Sequence, residues 1–317
     1  MKKNLKSPAF WAALAAVIAL AALSVHTGVY DIHASEEGRA MLYITRIPRT
    51  VSLLLTGMAM SVSGLVMQFI TQNRMVEPTT TGTMEWSGLG LLLIYLLVPS
   101  PGMMLRMGSV IVFSFAGTMI FFLFLQRIKL RSSVIVPLVG MMLGAVVSAV
   151  SSFLSLQFQA SQVIESWFVG SFSGVQTGRY EYLWLIVIVT VLIYVYADRI
   201  AVAGLGKDVA TNLGLNYNRV ILTGTALISL AVGVVAAVIG NLPFLGLIVP
   251  NIVSIMRGDD VKSNLPWVAL FGMGAITLCD ILSRTLIAPF EVPVSLILGT
   301  AGAVVFLLIL LRQRRKG

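Results

Sequence analysis

Long uncharged, apolar stretches alternate with short polar segments along almost the whole chain. A helix needs about 20 mostly apolar residues to cross the hydrocarbon core of a bilayer. Nine stretches reach or approach that length, and they cover residues 7–30, 50–73, 86–105, 107–126, 132–164, 182–197, 220–256, 263–279 and 292–311. They are continuous and lack the period-two alternation of a transmembrane β-barrel. The pattern therefore predicts an all-α, polytopic membrane protein.

The stretch at 220–256 is too long for one membrane-spanning helix. Gly240-Asn241-Leu242-Pro243 stands in its middle, and glycine with proline interrupts helices. We expect two helices here, which brings the predicted number of spans to ten. Since the polar segments are short, we expect one transmembrane domain over residues 1–317.

Composition and charge agree with this picture and predict an orientation. The chain is 57% hydrophobic and 11% charged, whereas soluble domains carry about 25% charged residues. If the N-terminus is cytoplasmic, sixteen of the 22 lysines and arginines fall in inner segments. The six in outer segments are Arg39, Arg46, Arg49, Arg106, Arg179 and Arg284. The positive-inside rule then places both termini in the cytoplasm, and the net charge of +9 gives no reason to expect nucleic-acid binding.

The residues of familiar catalytic and metal sites are scarce. The chain has two histidines, His26 and His33, and one cysteine, Cys279, with no Cys/His cluster. No G-x-x-x-x-G-K-[ST] phosphate loop occurs, and the look-alike at 204–208 lacks the glycine spacing and the final Ser or Thr. We therefore expect no catalytic site, metal or cofactor in this chain.

A stand-alone ion-coupled carrier is an alternative interpretation of such a chain. Carriers of this kind usually bury ionisable groups within their spans. Glu85 and Asp280 are the only carboxylates that we expect deep in the spans, which argues against a carrier.

A polar, glycine-punctuated segment at residues 204–219 separates the sixth and seventh predicted spans on the cytoplasmic side. Residues 207–213 are expected to form about two helical turns. Asp208 would lie at the positive end of that helix. Val209 and Leu213 would share one face at i, i+4.

The sequence also predicts where this short helix ends. Gly214 is expected to stop it, and Asn216 or Asn218 to cap the next element. The sequence supports two interpretations, a solvated loop or a ridge of two short helices that receives a cytoplasmic partner.

Five motifs in order carry a family resemblance. They are RIPRT at 46–50, NRMVEPTTTGT at 73–83, LGKDVATNLGL at 205–215, GNLPFLGLIVPN at 240–251 and DILSRTLIAPFEVPVS at 280–295. Together they resemble the permease subunits of iron–siderophore and cobalamin ABC importers, over about residues 8–311. VEPTTTGTMEW is further similar to the branch that imports catecholate siderophores of the petrobactin type. The family usually has His after GLIVP, whereas this chain has Asn251, which can hydrogen-bond but cannot titrate.

The resemblance implies a type II ABC importer permease in the plasma membrane. Its expected partners are a cytoplasmic ABC ATPase dimer that uses ATP, a second permease subunit, an extracellular binding protein and a ferric siderophore. We expect the second permease to be a different chain, with a homodimer as the alternative. Cobalamin and haem stay open as cargo.

The resemblance also implies three groups of functional residues. Binding-protein docking is expected at Arg46, Arg49 and Arg284. Interfacial anchoring is the alternative for Arg46 and Arg49, and pairing with Asp280 one turn away is the alternative for Arg284. ATPase coupling is expected at Lys207, Asp208, Val209, Thr211, Asn212, Leu213 and Gly214. The segment with Gly240, Asn241, Pro243 and Phe244 is expected to border the translocation pathway, with a tight turn as the alternative. Independently of the resemblance, we expect Pro78, Thr79 and Thr80 to be its counterpart in the first half, and Glu85 to line the pathway because a carboxylate within a span is costly.

Overall fold

The structure, a computed structural model, describes residues 7–28, 36–127 and 135–314, and these residues are almost entirely helical. The α-helices are α1 (Pro8–His26), α2 (Glu36–Met41), α3 (Ile47–Ile70), α4 (Thr83–Leu97), α5 (Met103–Arg127), α6 (Ile135–Gln157), α7 (Ser161–Phe168), α8 (Leu185–Ala203), α9 (Lys207–Asn212), α10 (Tyr217–Val238), α11 (Leu245–Arg257), α12 (Val261–Thr285) and α13 (Val294–Arg314). A π-helical turn, Leu42–Arg46, joins α2 to α3, and 3-10 turns lie at Pro78–Thr81 and Tyr180–Trp184. His33 and several of the predicted cytoplasmic lysines and arginines, at 1–6, 128–134 and 315–317, lie outside the described residues.

Seven of these helical stretches are long and apolar enough to cross a membrane. They are Pro8–His26, Arg39–Ile70, Met103–Arg127, Ile135–Gln157, Tyr180–Ala203, Tyr217–Val238 and Val261–Thr285. Three shorter apolar helices are Thr83–Leu97, Leu245–Arg257 and Val294–Ile309. The all-α membrane fold is therefore confirmed, while the count of ten spans and the orientation stay predictions.

Helices α3 and α10 form the centre of the bundle. Most residues of both are buried, whereas α1, α5, α6 and α8 expose large apolar side chains on their outer faces. Small residues allow α3 to approach its neighbours closely, as is usual where helices pack in lipid. A Cβ at Gly64 would lie 1.9 Å from the carbonyl oxygen of Gly246, and one at Gly57 would lie 2.5 Å from that of Gly272.

The predicted interruption of the 220–256 stretch is confirmed. Helix α10 ends at Val238, α11 begins at Leu245, and the connection includes left-handed backbone at Gly240 (φ +101°) and Phe244 (φ +68°). Other boundaries differ from the uncharged stretches. The stretch at 132–164 contains the whole of α6 and the start of α7 rather than one helix.

Helix α12 continues past the uncharged stretch at 263–279 and includes Asp280 and Arg284. The two side chains form an ion pair one turn apart, with Asp280 Oδ2 2.7 Å from Arg284 Nη2. Because each charge has a partner, the helix accommodates both in its buried part.

Candidate docking, pathway and coupling sites

A cluster of four charged side chains, Arg49, Asp280, Arg284 and Glu291, joins α3, α12 and the connection that precedes α13. Asp280 is fully buried and lies at its centre. Its Oδ1 accepts from Arg49 Nη2 at 2.7 Å and from Nε at 3.1 Å. Glu291 lies 2.9 Å from Arg49 Nη1. The Arg49 cluster thus contains two cations and two carboxylates in mutual contact.

Arg46 and Arg284 both bind the C-terminal end of α1. Arg46 Nη1 donates to the carbonyls of Val25 and His26, and Arg284 Nη1 donates to that of Thr27 at 2.7 Å. The last carbonyls of a helix have no intrahelical partner and carry partial negative charge. These two arginines therefore hold α1 against the start of α3 and the end of α12.

The three arginines that were expected to dock a partner are brought together, but their side chains are largely buried. The whole-residue exposure of Arg46 is 8%, and the side chain of Arg49 is 11% exposed. The pairing of Asp280 with Arg284, one helical turn apart, is visible in the sequence. The contacts of Arg49 with Asp280 and Glu291 are not, since 231 and 242 positions separate them. The docking role of the three arginines stays a prediction.

A second site joins the two segments expected to border the pathway, and its central residue, Glu77, was missed in the sequence. The Glu77 Oε1 atom accepts from the backbone N–H of Phe244 at 2.8 Å and from Thr79 Oγ1 at 2.6 Å. Glu77 is also the N-cap residue of the turn Pro78–Thr81, and its backbone N–H donates to Thr80 Oγ1 at 3.0 Å. The Pro78 and Pro243 segments are therefore in direct contact.

The expectation that Glu85 and Asp280 are the only deep carboxylates is wrong, because Glu77 is fully buried. Its contact with the start of α11 explains how burial is tolerated, since helix N-termini present unpaired N–H groups to anions. The sequence does carry a local signal for it. Glu before Pro78, with Thr80 three positions after the Glu, matches a capped helical start.

Glu85 and the Thr79–Thr80 region lie against α6. Glu85 is in the first turn of α4, and a Cβ at Gly144 would come 3.1 Å from its carboxyl carbon. A Cβ at Gly140 would come 2.3 Å from the carbonyl oxygen of Thr80. These contacts place the first predicted pathway segment between α11 on one side and α6 on the other.

The second pathway segment packs against the end of α7 and the chain that follows it. A Cβ at Gly170 would lie 2.0 Å from the carbonyl oxygen of Asn241, and one at Gly240 would lie 2.4 Å from that of Trp167. Pro243 and Phe244 approach the glycines of α13, since a Cβ at Gly302 would lie 2.7 Å from Phe244 Cβ. The pathway role of both segments stays a prediction.

Asn251, which stands where His is usual, is buried and binds two carbonyls. Its Nδ2 donates to the oxygen of Leu247 at 2.7 Å and to that of Arg74 at 2.8 Å. The side chain therefore ties α11 to the segment that leads from α3 to Glu77, and this contact needs no titratable group.

The predicted coupling segment forms the short helix α9. Asp208 lies in its first turn, and Lys207, Thr211 and Asn212 are exposed. Gly214 (φ +79°) ends it as expected: its N–H donates to the Thr211 oxygen and the Leu215 N–H donates to the Ala210 oxygen. This is the Schellman arrangement.

Only one short helix forms here, although two were expected. Asn216 accepts from the backbone N–H of Arg219 at 3.0 Å and so caps α10 itself. The expected second short helix is the first turn of that long helix. Exposed Leu205, Val209 and Leu213 give the segment an apolar surface.

The Arg49 cluster and α9 lie toward opposite ends of α3. Arg49 is in the first turn of α3, while Gly204, just before α9, packs on Phe69 near its last turn. The 24 residues of α3 extend over about 36 Å at 1.5 Å per residue. That length separates the predicted docking and coupling sites by roughly the thickness of a bilayer.

Comparison with protein families decides the classification. Residues 10–312 match the model of the FecCD transport family. The chain belongs to that family.

Individual members of the FecCD family are closely similar to this chain. The chain is 69% identical to the petrobactin import system permease protein FatD of Bacillus anthracis, over 96% of this chain and 92% of that protein. It is 42% identical to the petrobactin import system permease protein YclN of Bacillus subtilis, over 94% and 96%. The fold also matches a solved metal-chelate type ABC transporter in an inward-facing conformation, with a TM-score of 0.82 and 23% identity over 95% of this chain and 98% of that one.

Proposed function

We propose that this chain is the permease subunit of an ATP-driven ABC importer that carries ferric petrobactin across the plasma membrane. The observation that carries the proposal is the 69% identity, over 306 residues, to a permease named for petrobactin import. A second relative with the same named cargo, 42% identical over 304 residues, supports it. The permease is a transport component, and ATP is bound and hydrolysed by separate partner subunits.

Coupling to the ATPase is assigned to the cytoplasmic segment at 204–219. The hydrogen bonds of the segment support this assignment, because Gly214 closes α9 and the chain then runs directly into the cap of α10. A motion imposed on α9 reaches α10 through this connection. The exposed Val209 and Leu213 offer an apolar surface that a cleft on the ATPase can bury.

Docking of the extracellular binding protein is assigned to the end of the bundle that carries Arg46, Arg49 and Arg284. Arg46 and Arg284 hold α1 in place, and Arg49 stands between a buried and a partly exposed carboxylate. Arg49 is therefore the guanidinium best placed to meet an acidic residue of the partner. A positive site at this mouth also attracts an anionic ferric catecholate.

Alternating access is assigned to the contact between the Pro78 and Pro243 segments. Irregular backbone at membrane depth is tolerated where it lines a cavity or packs on protein. Glu77 makes the two irregular segments one unit that includes the start of α11. A second permease subunit, expected to be a different chain, completes the pathway.

Iron uptake in living cells tests the proposal. Cells that lack the chain are supplied with the native form or with Arg46→Glu/Arg49→Glu, and uptake of radioactive ferric petrobactin is measured. We expect uptake with the native chain, loss of uptake with the double variant while its permease–ATPase complex stays intact, and loss on ATP depletion. Uptake that survives ATP depletion and ends when the proton or sodium gradient is dissipated would support the carrier interpretation instead. Full uptake by the double variant would remove the docking role. Cyanocobalamin and haem are added as competitors in the same assay, because both stay open as cargo.

A further inference from the structure

The guanidinium of Arg49 is bound differently along its inner edge and at its outer corner. Nε and Nη2 lie 3.1 and 2.7 Å from one oxygen of Asp280, which is fully buried. Nη1 lies 2.9 Å from both oxygens of Glu291, whose side chain is 37% exposed. One edge is thus fixed inside the protein, while the remaining nitrogen faces a carboxylate that water reaches.

The two ion pairs differ in how easily they break. Separating a buried pair leaves an uncompensated charge in the protein interior. Water competes for Glu291, whose side chain is 37% exposed, so its pair with Arg49 contributes less free energy than the buried pair does. Glu291 can therefore leave Arg49 at a lower cost than Asp280 can, and Asp280 keeps the guanidinium oriented while it does so.

Glu291 lies on a connection whose backbone is anchored to α12. The N–H of Val292 donates to the carbonyl of Ser283 at 3.0 Å, directly after Glu291. The same connection presents Phe290, which is 74% exposed, beside exposed Leu286 and Ile287. An exposed apolar patch next to charged groups is typical of sites that contact a protein partner or the membrane surface.

The net charge of the Arg49 cluster indicates which chemical group of a partner it would bind. Arg49 and Arg284 carry two positive charges, and Asp280 and Glu291 carry two negative ones, so the cluster is neutral when Glu291 is bound. When Glu291 swings away, the cluster gains one net positive charge at its exposed corner. A carboxylate from a partner would restore neutrality in the same position.

We infer that Glu291 is an internal ligand of Arg49 that a carboxylate of the binding protein replaces on docking, while Phe290 contacts the same partner. The inference rests on the proposed docking role of Arg49. Glu291 then competes with the partner and sets how tightly the binding protein is held. Removal of its charge makes the partner bind more strongly, whereas removal of Arg49 weakens binding.

Binding measurements on the assembled importer test this inference. The permease–ATPase complex is placed in lipid nanodiscs and titrated with the siderophore-loaded binding protein of the same importer. We expect Glu291→Gln to tighten binding about two- to fivefold, the factor that corresponds to one exposed ion pair. Arg49→Gln, measured on complexes that assemble with the ATPase as the native chain does, should weaken binding, and the double variant should bind like Arg49→Gln alone. Glu165→Gln, which changes an exposed carboxylate of α7, is the matched control and should bind as the native complex does.

The outcomes separate the inference from the function on which it rests. Unchanged or weaker binding by Glu291→Gln, together with weaker binding by Arg49→Gln, overturns the displacement of Glu291 and leaves docking intact. Native binding by Arg49→Gln overturns the docking role itself. Glu291→Ala, which removes the carboxylate without adding an amide, should also tighten binding. It provides an independent result if the glutamine variant does not assemble.

Discussion

The Glu77 carboxylate accepts a hydrogen bond from the backbone N–H of Phe244 at 2.8 Å, across 167 positions of sequence. Glu77 therefore acts as an N-terminal cap for α11, although it belongs to the segment between α3 and α4. The first N–H groups of a helix have no intrahelical partner, and their end of the helix is partly positive. Here the carboxylate of Glu77, from elsewhere in the chain, accepts from the N–H of Phe244. This contact joins the Pro78 segment to the Pro243 segment.

Glu77→Gln is expected to destabilise the protein and to reduce iron uptake. A glutamine amide would place a donor beside the N–H donors of α11, and the site is fully buried. Leaving a buried N–H donor without its acceptor costs about 1–3 kcal/mol. The thermal unfolding midpoint of the permease–ATPase complex measures this effect. The control is Glu181→Gln, an exposed carboxylate that also accepts from a backbone N–H, that of Gly178. Equal melting of the two variants would contradict the capping role.

Gly64→Ala tests the close contact between α3 and α11 beside Glu77. The new Cβ would lie 1.9 Å from the Gly246 carbonyl oxygen, and because that obstacle is backbone, a whole helix must move. Overpacking of this kind costs about 1–3 kcal/mol. We expect a lower unfolding midpoint and little uptake. Gly108→Ala in α5 is the control, since nothing lies within 4 Å of the added Cβ. A native-like Gly64→Ala protein would show that the helices separate easily here.

The elements that local chemistry specifies were predictable from the sequence. The interruption after Val238 is marked by Gly240 and Pro243, and the end of α9 by Gly214, because each residue favours or forbids a backbone conformation within a few positions. The boundary of α12 was less predictable. A count of uncharged residues predicts that α12 ends before Asp280. In the structure the helix continues to Thr285, because Asp280 and Arg284 pair with each other.

The contacts that organise the two candidate sites lie beyond the range of local patterns. Glu77 meets Phe244 and Arg49 meets Asp280 across 167 and 231 positions. Hydrophobic periodicity records which face of a helix is buried but not which helix covers it. Only the folded arrangement shows that Arg49 has an internal carboxylate on each side.

Asp280→Asn is expected to destabilise the protein strongly, because Asp280 contacts both Arg49 and Arg284 in the interior. Removal of one partner from a buried ion pair costs about 3–5 kcal/mol. The matched control is Asp198→Asn, which makes the same change in the exposed pair with Lys262 and should cost at most about 1 kcal/mol. Unfolding midpoints of both variants are compared in the same detergent. Similar midpoints would mean that Asp280 contributes little to holding α3 against α12.

Leu213→Asp is expected to detach the ATPase while the permease itself stays folded. Leu213 is 65% exposed at the end of α9, so a polar residue there disturbs no core packing. If the ATPase covers it, a charge would be buried without a partner in the complex, which is strongly unfavourable. The measurement is a mild-detergent pull-down of the tagged chain from its native membrane, with partners identified by mass spectrometry. Asn218→Asp, at an exposed polar position of the same segment, is the control and should retain both the ATPase and the second permease. Retention of the ATPase by Leu213→Asp would show that the 204–219 segment is a solvated loop and that the ATPase binds elsewhere.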